Sequence, residues 1–411
     1  MAERTITAQA LVKELGDWAA RRGSLACRLS DAIADALLHG RIAPGVRLPA
    51  ERLLATVLDV SRTPVTAAYH RLAERGYAAS RRGSGTTTQL PVDITAARRS
   101  WVGGLAGANG VIDLTATPRA TPALLKLIGA AVASCEAGLI GASGYAGGGI
   151  AGLRQAIADR FTAGGLPTGP AEILVTAGTQ QAIDVLVRYL LRAGSSAVAE
   201  SPTYPGLLDI LRIQRVRVHT LAVTEAGWDI EALDDAVTRT GSAVVFLTPD
   251  HHNPTGQTMP AEQRRAVVEV AARTGATLVV DETLRELWFA RPGPPHVAAD
   301  RRARVITVGS LSKSIWGGLR IGWVRADAAT IARLAEIELA ADLGGSALLQ
   351  HVATELLDTA DELFAQRRAE LAAQRDVLAA ALRTHCELNP RLPDGGLCLW
   401  IPVPEVSTTE L

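Results

Sequence analysis

The chain has three lysines in 411 residues, Lys13, Lys126 and Lys313, and otherwise carries its positive charge on arginine. An arginine supplies charge and hydrogen bonds but stays protonated, whereas a lysine amine becomes a nucleophile once neutral. Lys313 sits in SLSKSIWGGLR, directly after the apolar run VITVGS (305–310). Four more apolar runs, EILVT (172–176), SAVAE (196–200), AVVFLT (243–248) and ATLVVDE (276–282), lead into residues that bind or ionise. Gly178, Thr179 and Gln180 follow the first at the start of a helical run, where amides and a hydroxyl can cradle an anion. Tyr204 follows the second, Asn253 the third, and Asp281 closes the fourth. The fifth brings Ser310, Ser312 and Lys313, with Arg320 seven residues later. Singly, an NPTG turn or a strand-end aspartate has a structural explanation. Their ordered series points to chemistry.

The elements between them decide whether these residues can meet. The apolar runs alternate with helical segments such as GTQQAIDVLVRYLLRAG and AEQRRAVVEVAARTG. This predicts an α/β domain with a largely parallel sheet, and ligands of such sheets collect beyond the carboxyl ends of the strands. An amine that condenses with an aldehyde, a carboxylate for a ring nitrogen, a donor for a phenolic oxygen, an aromatic face and an anion cradle are what pyridoxal 5'-phosphate requires. His251 and His252 lack convergent ligands, so no metal site is expected.

From about Val111 to its end the chain resembles the fold type I enzymes of the aspartate aminotransferase superfamily. The resemblance implies that Lys313 forms a Schiff base with the cofactor, Asp281 pairs with the pyridinium nitrogen, Asn253 donates to the phenolic oxygen and Tyr204 stacks on the ring. It gives the phosphate to Gly178, Thr179, Ser310, Ser312 and Arg320, and matches Tyr145 of GYAGGGIAGLR to a tyrosine sent into the partner subunit's site. Two departures stand out. Thr283 and Leu284 occupy positions where the family usually has a tyrosine, and GLCLWIPVPEVSTTEL ends short of a full small domain, which normally carries the arginine for a substrate carboxylate.

The N-terminal segment has a different character. Residues 20–90 carry eleven Arg against five Asp or Glu, while the whole chain balances 42 basic against 42 acidic residues. A local excess of this kind suits a polyanion. Leu25, Leu29, Ile33 and Leu37 predict an amphipathic helix, and AERLLATVL and SRTPVTAAYHRLAERG predict two more across a tight turn, with Ser61 as N-cap. YAASRRGSGTTTQL then reads as a basic hairpin. Arg52, Ser61, Arg62, Thr63, Arg81 and Arg82 are the expected DNA-binding residues. The stretch GRIAPGVRLPAERLLATVLDVSRTPVTAAYHRLAERGYAASRRGSGT resembles the winged helix-turn-helix of the GntR superfamily, with Ala50 in place of a usual serine.

These readings divide the chain into a DNA-binding domain at 20–90, a linker at 91–110 and an aminotransferase-like domain at 111–411. That combination is similar to the MocR-type transcriptional regulators. The resemblance implies a homodimer that binds double-stranded DNA and senses pyridoxal phosphate or a small amine or amino acid; a working aminotransferase is the alternative. Cys27, Cys135, Cys386 and Cys398 form no metal or disulfide pattern, and no apolar run approaches the length of a membrane span. A cytoplasmic location is expected.

Overall fold

A computed structural model describes residues 4–16, 18–20, 23–38, 41–42, 45–81, 85–89, 117–135, 143–386 and 388–401. The expected linker at 91–110 and Arg82 lie outside the described residues. The chain divides into two compact units, Met1–Ala116 and Thr117–Leu411.

The first unit runs β1 (Arg4–Thr5), α1 (Ala8–Glu14), α2 (Leu25–Leu38), β2 (Val46–Arg47), α3 (Glu51–Leu58), α4 (Arg62–Glu74), β3 (Ala78–Arg81) and β4 (Gly85–Thr88). Leu29, Ile33 and Leu37 bury one stripe of α2, whereas Leu25, expected on the same stripe, is exposed at the helix start. Val65, Ala68, Tyr69 and Leu72 form the inward face of α4 in the same core, and the Tyr69 hydroxyl donates to the Pro49 carbonyl at 2.9 Å. The turn between α3 and α4 rests on Asp59, which ends α3 with a left-handed φ of 53°. Ser61 occupies the N-cap position of α4, but its side chain makes no capping hydrogen bond. The expected hairpin forms from β3 and β4, paired antiparallel from Ala78↔Thr88 to Arg81↔Gly85. Ala8, Leu11 and Leu15, ahead of residue 20, are buried in this core too.

The second unit contains α5 (Pro122–Ser134), α6 (Ala151–Ala163), β5 (Ile173–Thr176), α7 (Thr179–Leu190), β6 (Ser196–Ser201), α8 (Pro205–Ile213), β7 (Arg217–Thr224), β8 (Gly227–Trp228), α9 (Ile230–Thr240), β9 (Val244–Leu247), α10 (Ala261–Thr274), β10 (Thr277–Asp281), β11 (Val305–Ser310), β12 (Gly322–Arg325), α11 (Ala328–Asp342), α12 (Ala347–Asp358) and α13 (Ala360–Cys386). Its sheet has the order β5-β12-β11-β10-β9-β6-β7-β8. From β11 through β10, β9 and β6 to β7 the pairing is parallel. Central strands buried on both faces need nearly uninterrupted apolar runs, as VITV of β11 provides, so the five expected strands were visible in the sequence. The strands β7, β8 and β12 were not expected. β12 lies antiparallel between β11 and β5, and its GWVR has neither the length nor the composition to announce a strand.

Candidate functional site

The strand order places β10 beside β11, so Asp281 at the end of one is registered on Val308 of the other. Just beyond β11, Ser312–Trp316 form a single π-helical turn that holds Lys313 half-buried above the sheet edge. The Ser310 hydroxyl lies 2.8 Å from both the Ser312 hydroxyl and the Ile321 carbonyl, and accepts from the Ser312 amide at 3.0 Å. Both serines are buried and shape this turn.

Across the edge, Gly178 caps α7 with a φ of 93°, a conformation that favours glycine. A Cβ there would also meet the Arg320 guanidinium at 3.0 Å. Arg320 donates to the Ala177 carbonyl, which fixes its head against the start of α7. The Thr179 hydroxyl pairs with that of Thr283 at 2.7 Å, and the Thr283 amide donates to Asp281 at 2.8 Å. Gln180 accepts from the Tyr204 hydroxyl at 2.9 Å and donates to the Gly206 carbonyl at 3.2 Å. A chain of polar contacts thus links the expected residues on α7, β10 and the turn after β6.

Electrostatics shows the same convergence. Burial pushes the Lys313 amine below its ordinary range; Cys398 and Asp281 work against that shift, and Arg320 adds to it. Burial raises the Asp281 carboxyl to about 6, opposed by the Thr283 hydrogen bonds. Tyr204 is pushed up to about 12 by burial and by the Asp281 charge, with Arg320 opposing. A desolvated amine is nucleophilic at lower pH than a solvated one, and an ionised carboxylate in such a place favours any cation that reaches it.

Cys398 was not recognised in the sequence. Its thiol, raised by burial, lies near Lys313 and donates to Asn253 Oδ1 at 3.5 Å. Nothing in its spacing set it apart from the three other cysteines; the fold brings it there. Tyr145 joins none of these contacts within its own chain and is 72% exposed.

In the first unit, Ser61, Arg62, Thr63, Ala67 and His70 lie exposed along one side and the start of α4, and Arg52 is exposed on α3. Arg62 is not free: it meets Glu51 Oε2 at 2.8 Å, and Thr66 donates to the same oxygen at 2.7 Å. The Thr66 hydrogen bond, with Arg62 assisting against partial burial, holds the Glu51 carboxyl below its usual range. Arg81 ends β3 where the hairpin turns.

Comparison with known proteins matches both units. The model for aminotransferase class I and II covers residues 142–411, and that for bacterial regulatory proteins of the gntR family covers 25–87. The uncharacterized HTH-type transcriptional regulator YisV of Bacillus subtilis is 28% identical over 94% of this chain and 86% of its own length. The probable rhizopine catabolism regulatory protein MocR of Rhizobium meliloti is 31% identical over 70% of this chain, which spans 62% of that relative. The crystal structure of LysN, the alpha-aminoadipate aminotransferase of Thermus thermophilus, superposes with a TM-score of 0.65 at 28% identity, covering 71% of this chain and 76% of that one. The chain belongs to the aminotransferase class I and II family and joins that domain to a GntR-type winged helix in the MocR-type regulator architecture.

Proposed function

We propose that this protein is a cytoplasmic, homodimeric transcriptional regulator that binds double-stranded DNA through α3, α4 and the hairpin, and holds pyridoxal 5'-phosphate at the edge of its large sheet. The observation that carries the reading is the desolvated Lys313 amine sharing a site with Asp281 and Arg320, in a chain whose other unit is a winged helix. The residues fit the cofactor. A concave turn at Gly178, which a Cβ would fill, and the Arg320 head suit a phosphate. Asp281 suits a protonated ring nitrogen, Asn253 a phenolic oxygen and Tyr204 the ring face. When bound, the cofactor supplies an aldehyde that exchanges amines.

The protein's own residues do the rest. Lys313 gives up its proton readily because burial disfavours its charge. Thr283 and Thr179 lock each other where the family usually places a tyrosine, so Asn253 is left to orient the phenolic oxygen. The Cys398 thiol donates to Asn253 Oδ1, so the amide nitrogen is the group left to donate. Tyr145, exposed on its own chain, is assigned to the partner subunit's site. A small amine or amino acid that displaces Lys313 then biases the DNA-binding form, provided the two forms differ in affinity for it. The test is an electrophoretic shift on the chain's own upstream region, with and without pyridoxal phosphate and an amine panel. Shifts that change with cofactor or amine support the reading; DNA affinity indifferent to both, or sustained keto-acid production, overturns it.

A further inference from the structure

The last carbonyls of a single helical turn have no partner within it and must find donors outside. In the turn that bears Lys313, the amides of Ile315 and Trp316 both donate to the Leu311 carbonyl, at 2.9 and 3.1 Å. The Ile315 carbonyl is met from below by Arg367 of α13, whose Nη2 donates to it at 3.0 Å. Arg367 is buried, and its Nη1 donates to Glu370 at 2.6 Å. The guanidinium that steadies the turn is thus itself held.

The same Nη2 reaches a second carbonyl, that of Arg119, at 3.5 Å. Arg119 lies in the entry segment of the second unit, which begins at Thr117 and leads to Thr121, the N-cap of α5. One nitrogen therefore touches both the Lys313 turn and the stretch of chain that arrives from the winged-helix unit. Packing runs the same way. Leu311, Ile315 and Leu319 share one buried cluster with Leu124 of α5 and Phe364 of α13, and Ala120 packs against it. An apolar side chain would fill the place of Arg367 without the cost of burying a charge, so its two carbonyl contacts call for an explanation.

We propose that Arg367 is a positioning residue: it sets the Lys313 turn through the Ile315 carbonyl and ties that turn to the entry segment through the Arg119 carbonyl, so that a ligand engaging Lys313 alters the hold on the chain leading to the winged helix. The inference rests on the reading of Lys313 as the amine that engages ligand, and it assigns the route by which occupancy leaves the site. Such coupling needs an element with two arrangements. The turn provides one, because the Leu311 carbonyl is shared between an α-type and a π-type amide, those of Ile315 and Trp316.

Two measurements on the full-length, cofactor-free protein test it. One is the pH at which Lys313 is half-labelled by acetic anhydride, read by peptide mass spectrometry with exposed Lys13 as the standard. The other is hydrogen exchange of the Leu124 and Leu125 amides, which donate to Thr121. Arg367→Met keeps the stem and removes the donors. The loosened turn admits water to an amine that burial holds low, so the Lys313 midpoint should rise by about half a pH unit or more. Exchange at Leu124 and Leu125 should quicken about fivefold, the scale of one hydrogen bond. Lost stability alone leaves a native-state midpoint where it was. Arg367→Lys, which keeps the charge for Glu370 but not the planar fork, is the variant safer for folding and should show both changes in smaller degree. Glu370→Gln, which alters only the Nη1 partner, should show neither. Either readout at its wild-type value in folded Arg367→Met and Arg367→Lys, or Glu370→Gln reproducing the changes, overturns the proposal. Pyridoxal phosphate should then slow exchange at Leu124 and Leu125 in the wild type, but only at Ile315 and Trp316 in Arg367→Met; protection that persists at α5 in that variant also counts against the coupling. A wild type that takes up no cofactor sinks the Lys313 reading instead, while the first two measurements still decide the role of Arg367.

Discussion

Asp250 stands just past the end of β9 and Asp281 closes the neighbouring strand β10, and their charges are treated in opposite ways. Asp250 is 1% exposed, with Arg264 at 2.7 Å and Arg285 at 3.2 Å. Burial alone would raise its carboxyl, but the two guanidiniums more than reverse this and hold it below the usual range. Arg264 in turn donates to the carbonyls of Met259, Pro249 and Pro295. Every charge there has a fixed partner. At Asp281 burial prevails, opposed by Thr283, and the carboxyl rises to about 6. Paired buried charges hold a fold together; a buried charge kept short of partners is a cost the fold bears where a ligand completes it.

The sharpest way to break the comparison is to remove the nucleophile from the underpaired region. Lys313→Ala should abolish covalent capture of pyridoxal phosphate by borohydride, read as the mass of the intact protein. Labelling of Lys126 in its place, or an unchanged adduct, would sink the assignment. The change should leave folding intact, since a methyl group in that position asks for no counter-charge.

In the paired region the loss should appear as stability. Asp250→Asn leaves two guanidiniums buried with half their compensation, and breaking buried pairs of this kind costs about 3–5 kcal/mol. Denaturant midpoints with an unchanged slope would report it. A loss below 1 kcal/mol would mean that solvent reaches these arginines and that the contrast with Asp281 is overstated.

Asp281→Asn should act in the other direction on the cofactor-free protein. The folded carboxyl titrates near 6, above the roughly 3.9 of an unfolded aspartate. A raised folded pKa contributes stability below the unfolded value, and this is lost as pH rises through the folded one. The wild type therefore weakens between about pH 4 and 6, and asparagine, which does not titrate, escapes that loss. The variant should be more stable by on the order of 2–3 kcal/mol at pH 7, with the gap narrowing toward pH 4. It should also hold pyridoxal phosphate less tightly. A variant that is equally stable at both pH values would show that Asp281 is already compensated.

The paired and underpaired aspartates look alike in the sequence, which explains what could be read there and what could not. Lys313, Asn253, Asp281 and Arg320 were visible because each follows an apolar run that the sheet turns into a strand end. The partners of Asp250 come from α10 and from the segment after β10, 14 and 35 residues away, so no local pattern links them. β12 was missed because its burial comes from the neighbours it lies between, which composition does not reveal. Cys398 was missed for the same reason: its significance is its distance from Asn253, 145 residues earlier in the chain. Helix α4 was legible from periodicity, while the Glu51 contact that restrains Arg62 depends on how α3 and α4 pack.

That contact offers the smallest test, because it is a paired charge on a surface. Side chains of Arg62 and Glu51 keep 56% and 26% exposure, so the pair should contribute only a few tenths of a kcal/mol to stability. Its expected consequence for the proposed DNA binding is larger. Glu51 and Thr66 together present the Arg62 guanidinium in one orientation at the start of α4, and a restrained fork loses less freedom when it meets a base edge. Glu51→Gln removes a negative charge from the interface as well as the restraint. Binding to random duplex should therefore strengthen slightly at low salt, through added attraction to phosphate, while preference for the specific site narrows, each by less than about tenfold. Fluorescence anisotropy across a salt series separates the two effects, since the first fades with salt and the second persists. If Arg62→Ala leaves specificity untouched, or Glu51→Gln widens it, the pair is an ordinary surface contact and the exposed residues further along α4, Thr63 and Ala67, must carry the reading of sequence.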